Sequence, residues 1–313
     1  MSAMLETMGE LADVFEAHRR RLWGLCYRLT GSGADADELV QETFARALER
    51  PPPDRSRPWG PWLTRVAANL ARDALRKRRR RGYVGPWLPE PVETRDGPDP
   101  LVEGPLPPDA RYEQRESATL AFLVALEALT PKQRAVLLLR DVYDLSTRET
   151  AAALELKEGA VKVLLHRARA ALEGYDARRP RSLDAEAAAT RHLLERLLLA
   201  LGRGEVEPIR ALLHEDVVSI NDGAGSYHAA RRPVGGVDRV ALFLHKTRGR
   251  ALHALRPVQL NGLPAVLVEQ EPRRPGWPPR AALLLEVEGE RIRRLLGIVA
   301  DAKLARLPFD AAA

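Results

Sequence analysis

Apolar residues recur at helical spacing through the first quarter of the chain and predict three successive helices. The first two helices cover residues 10–48 and are separated at 30–33, where glycines interrupt the pattern. A proline run at 51–53 ends the second helix, and the third covers 61–77. The recurring apolar positions, which we expect to form core, are Phe15, Leu22, Leu25, Cys26, Leu29, Leu39, Val40, Phe44 and Leu48.

A second helical region follows a stretch that has lost its periodicity. Proline and glycine are frequent from 82 to 108, which is typical of a linker. Helical patterning returns over 112–175, where Thr130 and Pro131 predict a helix start because proline is tolerated at the first helical position. The apolar face of this region is predicted to contain Leu120, Leu123, Val124, Leu126 and Leu129.

The last 130 or so residues, after a short linker at 180–182, follow a different pattern. Helices are predicted at 185–202, 208–214 and 237–246, and strands at 217–220, 265–268, 282–287 and 291–299. Two helices followed by strands with one inserted helix indicate an α+β domain, in which helices pack on a curved sheet.

Composition narrows the class of protein. The 313 residues suffice for two or three domains. The single cysteine, Cys26, excludes an internal disulfide and fits a reducing cytoplasm. The N-terminus has no signal-peptide pattern and no apolar run is long enough to span a bilayer, so we expect a cytoplasmic protein without a membrane partner. The net charge of +6, concentrated in patches, indicates a polyanionic partner.

The segment from Trp59 to Arg81 has the composition of a strand-capture element. Bases can stack on Trp59 or Trp62, while the guanidinium groups of the basic run at 76–81 follow phosphates. A basic helix end that is merely solvated is the alternative interpretation of this segment. A second DNA-type motif favours the first interpretation.

That second motif is a helix-turn-helix. Ser146 and Glu149 have capping-box spacing, so a short helix is predicted to start there and to end near Leu154. The second helix, 158–172, would enter the major groove. Glu158, Lys162, Val163 and Arg167 are then candidates for base edges, and His166 and Arg169 for phosphates.

The turn of this motif departs from the usual pattern at two positions. Glu155 stands where glycine is common, and Lys157 stands where a capping Ser or Thr is common. A plain helical hairpin is therefore the alternative to a DNA-reading motif.

With both motifs in this order, residues 10–177 resemble the extracytoplasmic-function sigma factors of bacterial RNA polymerase. G-A-D-A-D-E-L-V-Q-E-T-F-A-R-A-L resembles the helix that docks on the polymerase beta-prime clamp. The resemblance implies a multi-domain protein with two all-α sigma domains, namely region 2 at 1–82 and a helix-turn-helix region 4 at 113–178, joined by a linker at 83–112. It implies core-polymerase contacts by Asp35, Asp37, Glu38, Val40, Gln41 and Phe44.

The same resemblance assigns the two promoter elements. Recognition of the minus-ten element would use Arg55, Arg57, Trp59, Trp62, Arg65, Asn69, Asp73 and Arg76. Asp73 is expected to orient Arg76, because a carboxylate beside phosphates is repelled. The helix-turn-helix residues named above would recognise the minus-thirty-five element.

A narrower resemblance covers the linker and residues 183–313. W-L-P-E-P (Trp87, Leu88, Pro89, Glu90, Pro91) resembles the signature of sigma factors that carry a fused SnoaL-like domain. The resemblance implies a cone-shaped α+β domain that modulates sigma activity together with the linker. The regulatory residues implied are Asp222, Gly223, Gly225, Lys303 and Leu304. The glycine motif lacks its usual lysine, since Ser226 stands there.

Two other function classes stay open at this stage. An ordinary helix-turn-helix regulator would bind duplex DNA without polymerase, but it would need neither the acidic helix nor the strand-capture segment. A small-molecule-binding or enzymatic domain fused to a DNA-binding module would use His214, Asp216, Asp222, His228 or His253. We expect no catalytic residues, no metal and no cofactor, and as partners core polymerase, promoter DNA and an unidentified small-molecule ligand.

Overall fold

The computed structural model describes residues 2–94, 115–178, 182–248, 252–272 and 275–309, excepting the side chains of 2–11 and 252. The chain divides into two compact units. The helical unit contains Met1–Arg81 and Asp96–Arg179, and the α+β unit contains Gly82–Arg95 and Pro180–Ala313. Part of the segment expected to be linker is therefore built into the α+β unit. The rest of it, from 95 to 112, lies outside the described residues.

The first part of the helical unit is a three-helix arrangement. α1 (Ser2–Thr30) is followed by α2 (Gly33–Glu49) and α3 (Trp59–Arg81). Gly31, at φ +69°, adopts the left-handed conformation that separates α1 from α2. The Ser32 hydroxyl caps α2. Most of the predicted apolar positions are buried, but Leu48 is 60% exposed and is not core: it lies on the solvent side of the last turn of α2, while its neighbour Ala47 is buried.

The second part contains the predicted helix-turn-helix. α4 (Leu120–Ala125), a 3-10 turn (Leu126–Ala128) and α5 (Pro131–Leu137) lead through a π-turn (Leu138–Val142) to α6 (Thr147–Leu154) and α7 (Glu158–Asp176). Ser146 forms the complete capping box that its spacing predicted. Thr130, predicted only as a helix start before Pro131, forms one as well, with Gln133. Glu155 is left-handed at φ +55°, and Lys157 makes no side-chain cap.

The α+β unit packs helices on a six-stranded sheet. Its helices are α8 (Leu183–Arg203), α9 (Val206–Leu212), α10 (Val237–Thr247) and α11 (Asp301–Leu304). Its strands are β1 (Leu213–Asp222), β2 (Val234–Gly235), β3 (Leu252–Leu260), β4 (Leu263–Gln270), β5 (Arg280–Glu288) and β6 (Arg291–Ile298). The sheet order is β2-β1-β6-β5-β4-β3, with β1 and β6 parallel and the other pairs antiparallel. Leu197, Val240, Val266 and Leu295 are in its core.

The structure departs from the sequence prediction most clearly at three places. The predicted helix 208–214 ends at Leu212, and His214 lies in β1. Strand β3 was not predicted, because Arg256 and Pro257 interrupt its apolar pattern. Its position at the edge of the sheet tolerates that proline. α3 continues past residue 77 to Arg81, where two of its arginines bond to the second part of the helical unit.

Candidate functional site

Two tryptophans lie in the first turn of α3, next to an exposed loop. Trp59 and Trp62 are half-buried and pack edge-to-face, with ring centroids 6.4 Å apart. Arg55 and Arg57 are exposed on the preceding loop, and Arg57 pairs with Asp54 at 3.0 Å. The aromatic faces and guanidinium groups predicted to hold a separated strand thus lie on one accessible segment.

The middle of α3 is covered by the helix-turn-helix. The amide Nδ2 of Asn69 donates to the Ala153 carbonyl at 3.1 Å, and Arg65 Nη2 lies 2.7 Å from Glu155 Oε1. Arg72, which the sequence did not single out, donates to the Leu154 carbonyl at 3.2 Å. Among the described residues Asn69 Oδ1 is buried without a partner. The predicted base-reading side of α3 is therefore occupied by the end of α6.

Asp73 and Arg76 form the expected pair, with Arg76 Nη1 3.0 Å from Asp73 Oδ1. Both groups are about half exposed on α3. This geometry agrees with Asp73 acting on Arg76 and not on DNA.

The basic run at the end of α3 is partly committed to internal contacts, which corrects the picture of guanidinium groups that all follow phosphates. Arg78 forms a bidentate pair with Glu127 at 2.8 and 3.0 Å and donates to the Thr30 carbonyl. Arg79 donates to the carbonyls of Glu127 and Leu129. Arg80 and Arg81 are exposed. Two arginines of the run thus fasten α3 to the segment after α4.

A buried charge cluster that the sequence reading missed lies at the same place. Arg134 is 1% exposed and donates to the carbonyls of Leu29 and Leu126 and to Glu127 Oε1, the last at 2.6 Å. Burial would raise the pKa of Glu127, but the guanidinium groups of Arg134 and Arg78 outweigh it and hold this pKa below its usual value. The sequence feature that could have revealed this cluster is Arg134, an arginine placed among the apolar residues of α5.

The predicted polymerase-docking helix α2 divides into two sides. Glu38 and Gln41 are exposed, while Asp35 and Asp37 are partly exposed, and Asp37 accepts a hydrogen bond from Trp23 Nε1 at 2.7 Å. Val40 and Phe44 are 4% and 6% exposed, and the Phe44 ring packs on Phe15. The structure therefore places Val40 and Phe44 in the core of the helical unit, and the accessible polar edge lies on the other side.

The predicted recognition helix α7 presents its DNA candidates to solvent. Glu158, Lys162, Val163, His166 and Arg167 are all exposed, with Val163 at 50%. Arg169 is already engaged, since its guanidinium forms two hydrogen bonds with Asp141 at 2.7 and 3.0 Å, and these bonds raise its pKa. Arg169 is thus less available for a phosphate than its neighbour Arg167.

The regulatory residues expected in the α+β unit meet at one buried carboxylate. Asp222 is 0% exposed at the end of β1 and pairs with Lys303 at 2.6 Å. It accepts further hydrogen bonds from the Tyr83 hydroxyl at 2.6 Å and from the Leu88 amide at 2.8 Å. Lys303 also bonds to the Leu88 carbonyl and lies over the Trp87 ring, 4.3 Å from its centroid. Asp222 is therefore an anchor for residues 83–88 and not simply a turn residue.

The following residues, 90–94, are held at the edge of the same sheet. Thr94 donates its amide to the Gln259 carbonyl at 2.9 Å, and Asn261 bonds to Val92 through both its backbone amide and its side chain. Glu90, 3% exposed, faces Arg306 at 3.5 Å. The sequence analysis did not find this pairing, because Val92 and Asn261 are 169 positions apart in the chain.

The other regulatory candidates surround the anchor. A Cβ on Gly223 would lie 2.8 Å from the Ala229 Cβ, and Gly225 at φ +81° lies against Val84. Leu304, 4% exposed, follows Lys303 in α11. Pro89 and Pro91 are buried between the two anchored stretches. The glycines thus serve close approach and a left-handed turn beside the docked segment.

Comparison with known proteins agrees with this architecture. Residues 14–81 match the model of sigma-70 region 2, and residues 119–172 match that of sigma-70 region 4. The chain is 37% identical over 233 residues to the ECF RNA polymerase sigma factor SigJ of Mycobacterium tuberculosis, covering 74% of this chain and 70% of SigJ. The chain belongs to the ECF RNA polymerase sigma factors.

Two further similarities support the assignment. This sigma factor is 40% identical over 182 residues to SigG of M. tuberculosis, covering 54% of this chain and 49% of SigG. The crystal structure of M. tuberculosis SigJ matches with a TM-score of 0.71 at 29% identity, covering 95% of this chain and 99% of that one. The predicted architecture, helical sigma domains followed by an α+β domain, is confirmed.

Family membership sets aside one of the two other function classes left open by the sequence. A sigma factor directs promoter recognition and transcription initiation by RNA polymerase, so the reading as a duplex-binding regulator without polymerase is set aside. In the described part of the chain no helix combines the length and the apolar character needed to cross a membrane.

Proposed function

We propose that this sigma factor recognises promoters in two steps, with a compact helical unit that must open before it captures the minus-ten strand. Polymerase core would dock on the accessible edge of α2, and α7 would enter the minus-thirty-five major groove. The protein itself would perform no covalent chemistry and would act in the cytoplasm, where polymerase works.

The proposal rests on the contacts by which the end of α6 and the turn after it cover the middle of α3. Asn69 bonds to Ala153, and Arg65 pairs with Glu155, so a base cannot reach Asn69 while α6 stays in place. The unpartnered Asn69 Oδ1 favours opening, because a buried unmet acceptor costs about 1–3 kcal/mol and a base edge would satisfy it. The compact arrangement is then an inactive state that promoter and polymerase displace.

The docked segment supports a regulatory role for the α+β unit. Tyr83, bound to Asp222, lies two residues after the end of α3 in the chain. Anchoring 83–94 in the α+β unit shortens the free connection between regions 2 and 4 and so biases the separation that they can reach. Regulation requires that this anchoring differ in free energy between the compact and the open state.

A chemical bridge across the cover tests the proposal. Arg65→Cys and Glu155→Cys, joined by a short bis-maleimide, would hold α6 on α3. The native Cys26 is buried and its pKa is raised to about 12, so it does not compete for the reagent. We expect the bridged protein to lose promoter-dependent run-off transcription with core polymerase, while the same variant treated with a monofunctional maleimide retains its own starting level.

The controls separate bridging from substitution. Each single-cysteine variant, treated with the same bis-maleimide, should keep the activity that it had before treatment. Equal transcription from the bridged and the unbridged double variant would contradict the opening step. Failure of every form to bind core polymerase and to give a transcript would contradict sigma function itself.

A further inference from the structure

A cavity of about 270 Å³ opens at one end of the sheet in the α+β unit. Asn221, Gln270 and Gly297 line it from the ends of β1, β4 and β6. Leu201 and Thr247 line it from the last turns of α8 and α10. The cavity is separate from the linker anchor, because Asp222, the next residue in β1, points its buried carboxylate to Lys303.

Most of the cavity wall is apolar, and none of the described residues that line it is acidic. Phe243, Leu255, Val268 and Trp277 supply much of the surface. An apolar wall of this kind suits an organic ligand with few polar atoms. Without a carboxylate the described wall has no charge that attracts a cation.

One strong hydrogen-bond donor at the cavity is unused. Arg248 lines the cavity, and its Nη1 bonds weakly to the Leu201 carbonyl at 3.4 Å. Its Nε is buried and has no partner among the described residues. The neutral polar groups nearby are occupied, since Asn221 Nδ2 donates to Ser219 and the Thr247 hydroxyl donates to Phe243. A guanidinium with a free, desolvated N–H is suited to bind a carboxylate.

The size of the cavity limits the ligand. Benzene, with six carbons, fills a protein cavity of about 150 Å³, so about 270 Å³ holds roughly ten to twelve carbons. We propose that this cavity binds a small organic monoanion, an apolar body of that size with one carboxylate that pairs with Arg248. His228, also on the wall, adds a second polar group but no negative charge.

Binding of decanoate to the full chain tests the site, with 1-decanol as the neutral ligand of equal length. Isothermal titration calorimetry should show saturable uptake of one decanoate per chain and at least tenfold weaker binding of decanol. Arg248→Met should lower decanoate affinity to the decanol level. Arg196→Met, an exposed arginine on α8, should change neither affinity.

A second variant tests whether the ligands bind inside the cavity. Ala281→Leu places extra carbons in the cavity and should abolish the binding of both ligands, while thermal melting verifies that the unit is folded. No saturable binding by the wild type would overturn the proposal. So would equal affinities for decanoate and decanol, or uptake unaffected by Ala281→Leu. Because no polymerase is present, these outcomes are independent of the proposed opening of the helical unit.

Discussion

The Nζ of Lys303 lies 2.6 Å from Oδ2 of Asp222, a carboxylate that is fully buried at the end of β1. The same ammonium contacts the Leu88 carbonyl and the Trp87 ring. The ion pair therefore does more than join β1 to α11, because it also holds the tryptophan end of the docked segment. Removing either charge should weaken both the contact between β1 and α11 and the attachment of the docked segment.

Replacing Lys303 by Met should destabilise the α+β unit by about 3–5 kcal/mol, the usual cost of leaving a buried charge without its partner. It should also release residues 83–88, which would then be cut by proteases under conditions where the wild type resists. Urea denaturation and limited proteolysis with mass spectrometry measure the two effects. Lys246→Met, an exposed lysine of α10, is the matched control and should change stability little.

A substitution of Asp222 tests whether this residue and Lys303 act as a pair. Asp222→Asn in the Lys303→Met background removes the unpaired charge and should recover part of the lost stability, with a coupling energy of about 1–3 kcal/mol. Strictly additive losses in the double variant would mean that the two side chains do not act as a pair.

Glu127→Gln should weaken the helical unit in a pH-dependent way. Since the folded pKa of Glu127 is lowered, the stabilisation that its charge provides is present above the ordinary value of about 4.3 and is lost as pH falls through the lower folded pKa. At pH 7 we expect a loss of about 3 kcal/mol, because Arg134 is left buried without its carboxylate.

Urea denaturation of wild type and Glu127→Gln at several pH values measures this difference. It should be constant between pH 6 and 8 and shrink in acid, since protonated Glu127 and glutamine are both neutral. Glu173→Gln, at an exposed position of α7, is the control. A difference that persists unchanged in acid would show that glutamine disturbs packing and not charge pairing.

Much of the fold was predictable because local signals were strong. Pro131 after Thr130 and the capping-box spacing at Ser146 predicted two helix starts, and the apolar periodicity predicted α1, α2 and α7. Glutamate at position 155 was expected to disfavour the usual left-handed turn, yet Glu155 adopts it at φ +55°. These features depend on residues within a few positions of one another, so one sequence contains them.

The contacts that define the candidate sites join residues that are far apart in the chain. Asn69 and Ala153 are 84 positions apart, and Lys303 and Leu88 are 215 apart. Nothing local distinguishes Asn69 as a base-reading residue from Asn69 as a partner of α6. Strand β3 escaped prediction for a related reason, since an edge strand needs only one neighbour and tolerates Pro257.

Arg167 and Arg169 should contribute unequally to binding of minus-thirty-five DNA. Arg167 is exposed, whereas Arg169 is held by two hydrogen bonds from its guanidinium to Asp141. Arg167 is a candidate for base edges, so Arg167→Ala should weaken binding to the minus-thirty-five duplex by about 1–3 kcal/mol, and the loss of its charge should lower the salt slope by up to about one. Arg169→Ala should have a smaller effect on both quantities.

Fluorescence anisotropy of the polymerase complex on promoter duplex, measured over a range of salt concentrations, compares the two variants. Asp141→Asn provides a control that frees Arg169 without removing it, and this variant should bind DNA at least as tightly as the wild type. A larger loss for Arg169→Ala than for Arg167→Ala would mean that the pairing with Asp141 does not keep Arg169 from the DNA.

Glycine at position 155 should be more favourable than alanine, contrary to the usual order in helices. Glu155 is left-handed at φ +55°, which costs a non-glycine residue about 1–2 kcal/mol. Glycine and alanine both remove the exposed ion pair with Arg65, which is worth at most about 1 kcal/mol, so the loss of this pair cancels in the comparison.

We expect Glu155→Gly to be more stable than Glu155→Ala by about 1 kcal/mol in urea denaturation. At the helical position Glu173 the same two substitutions should favour alanine by about 1 kcal/mol. The same preference at both positions would mean that the turn relaxes when Glu155 is replaced.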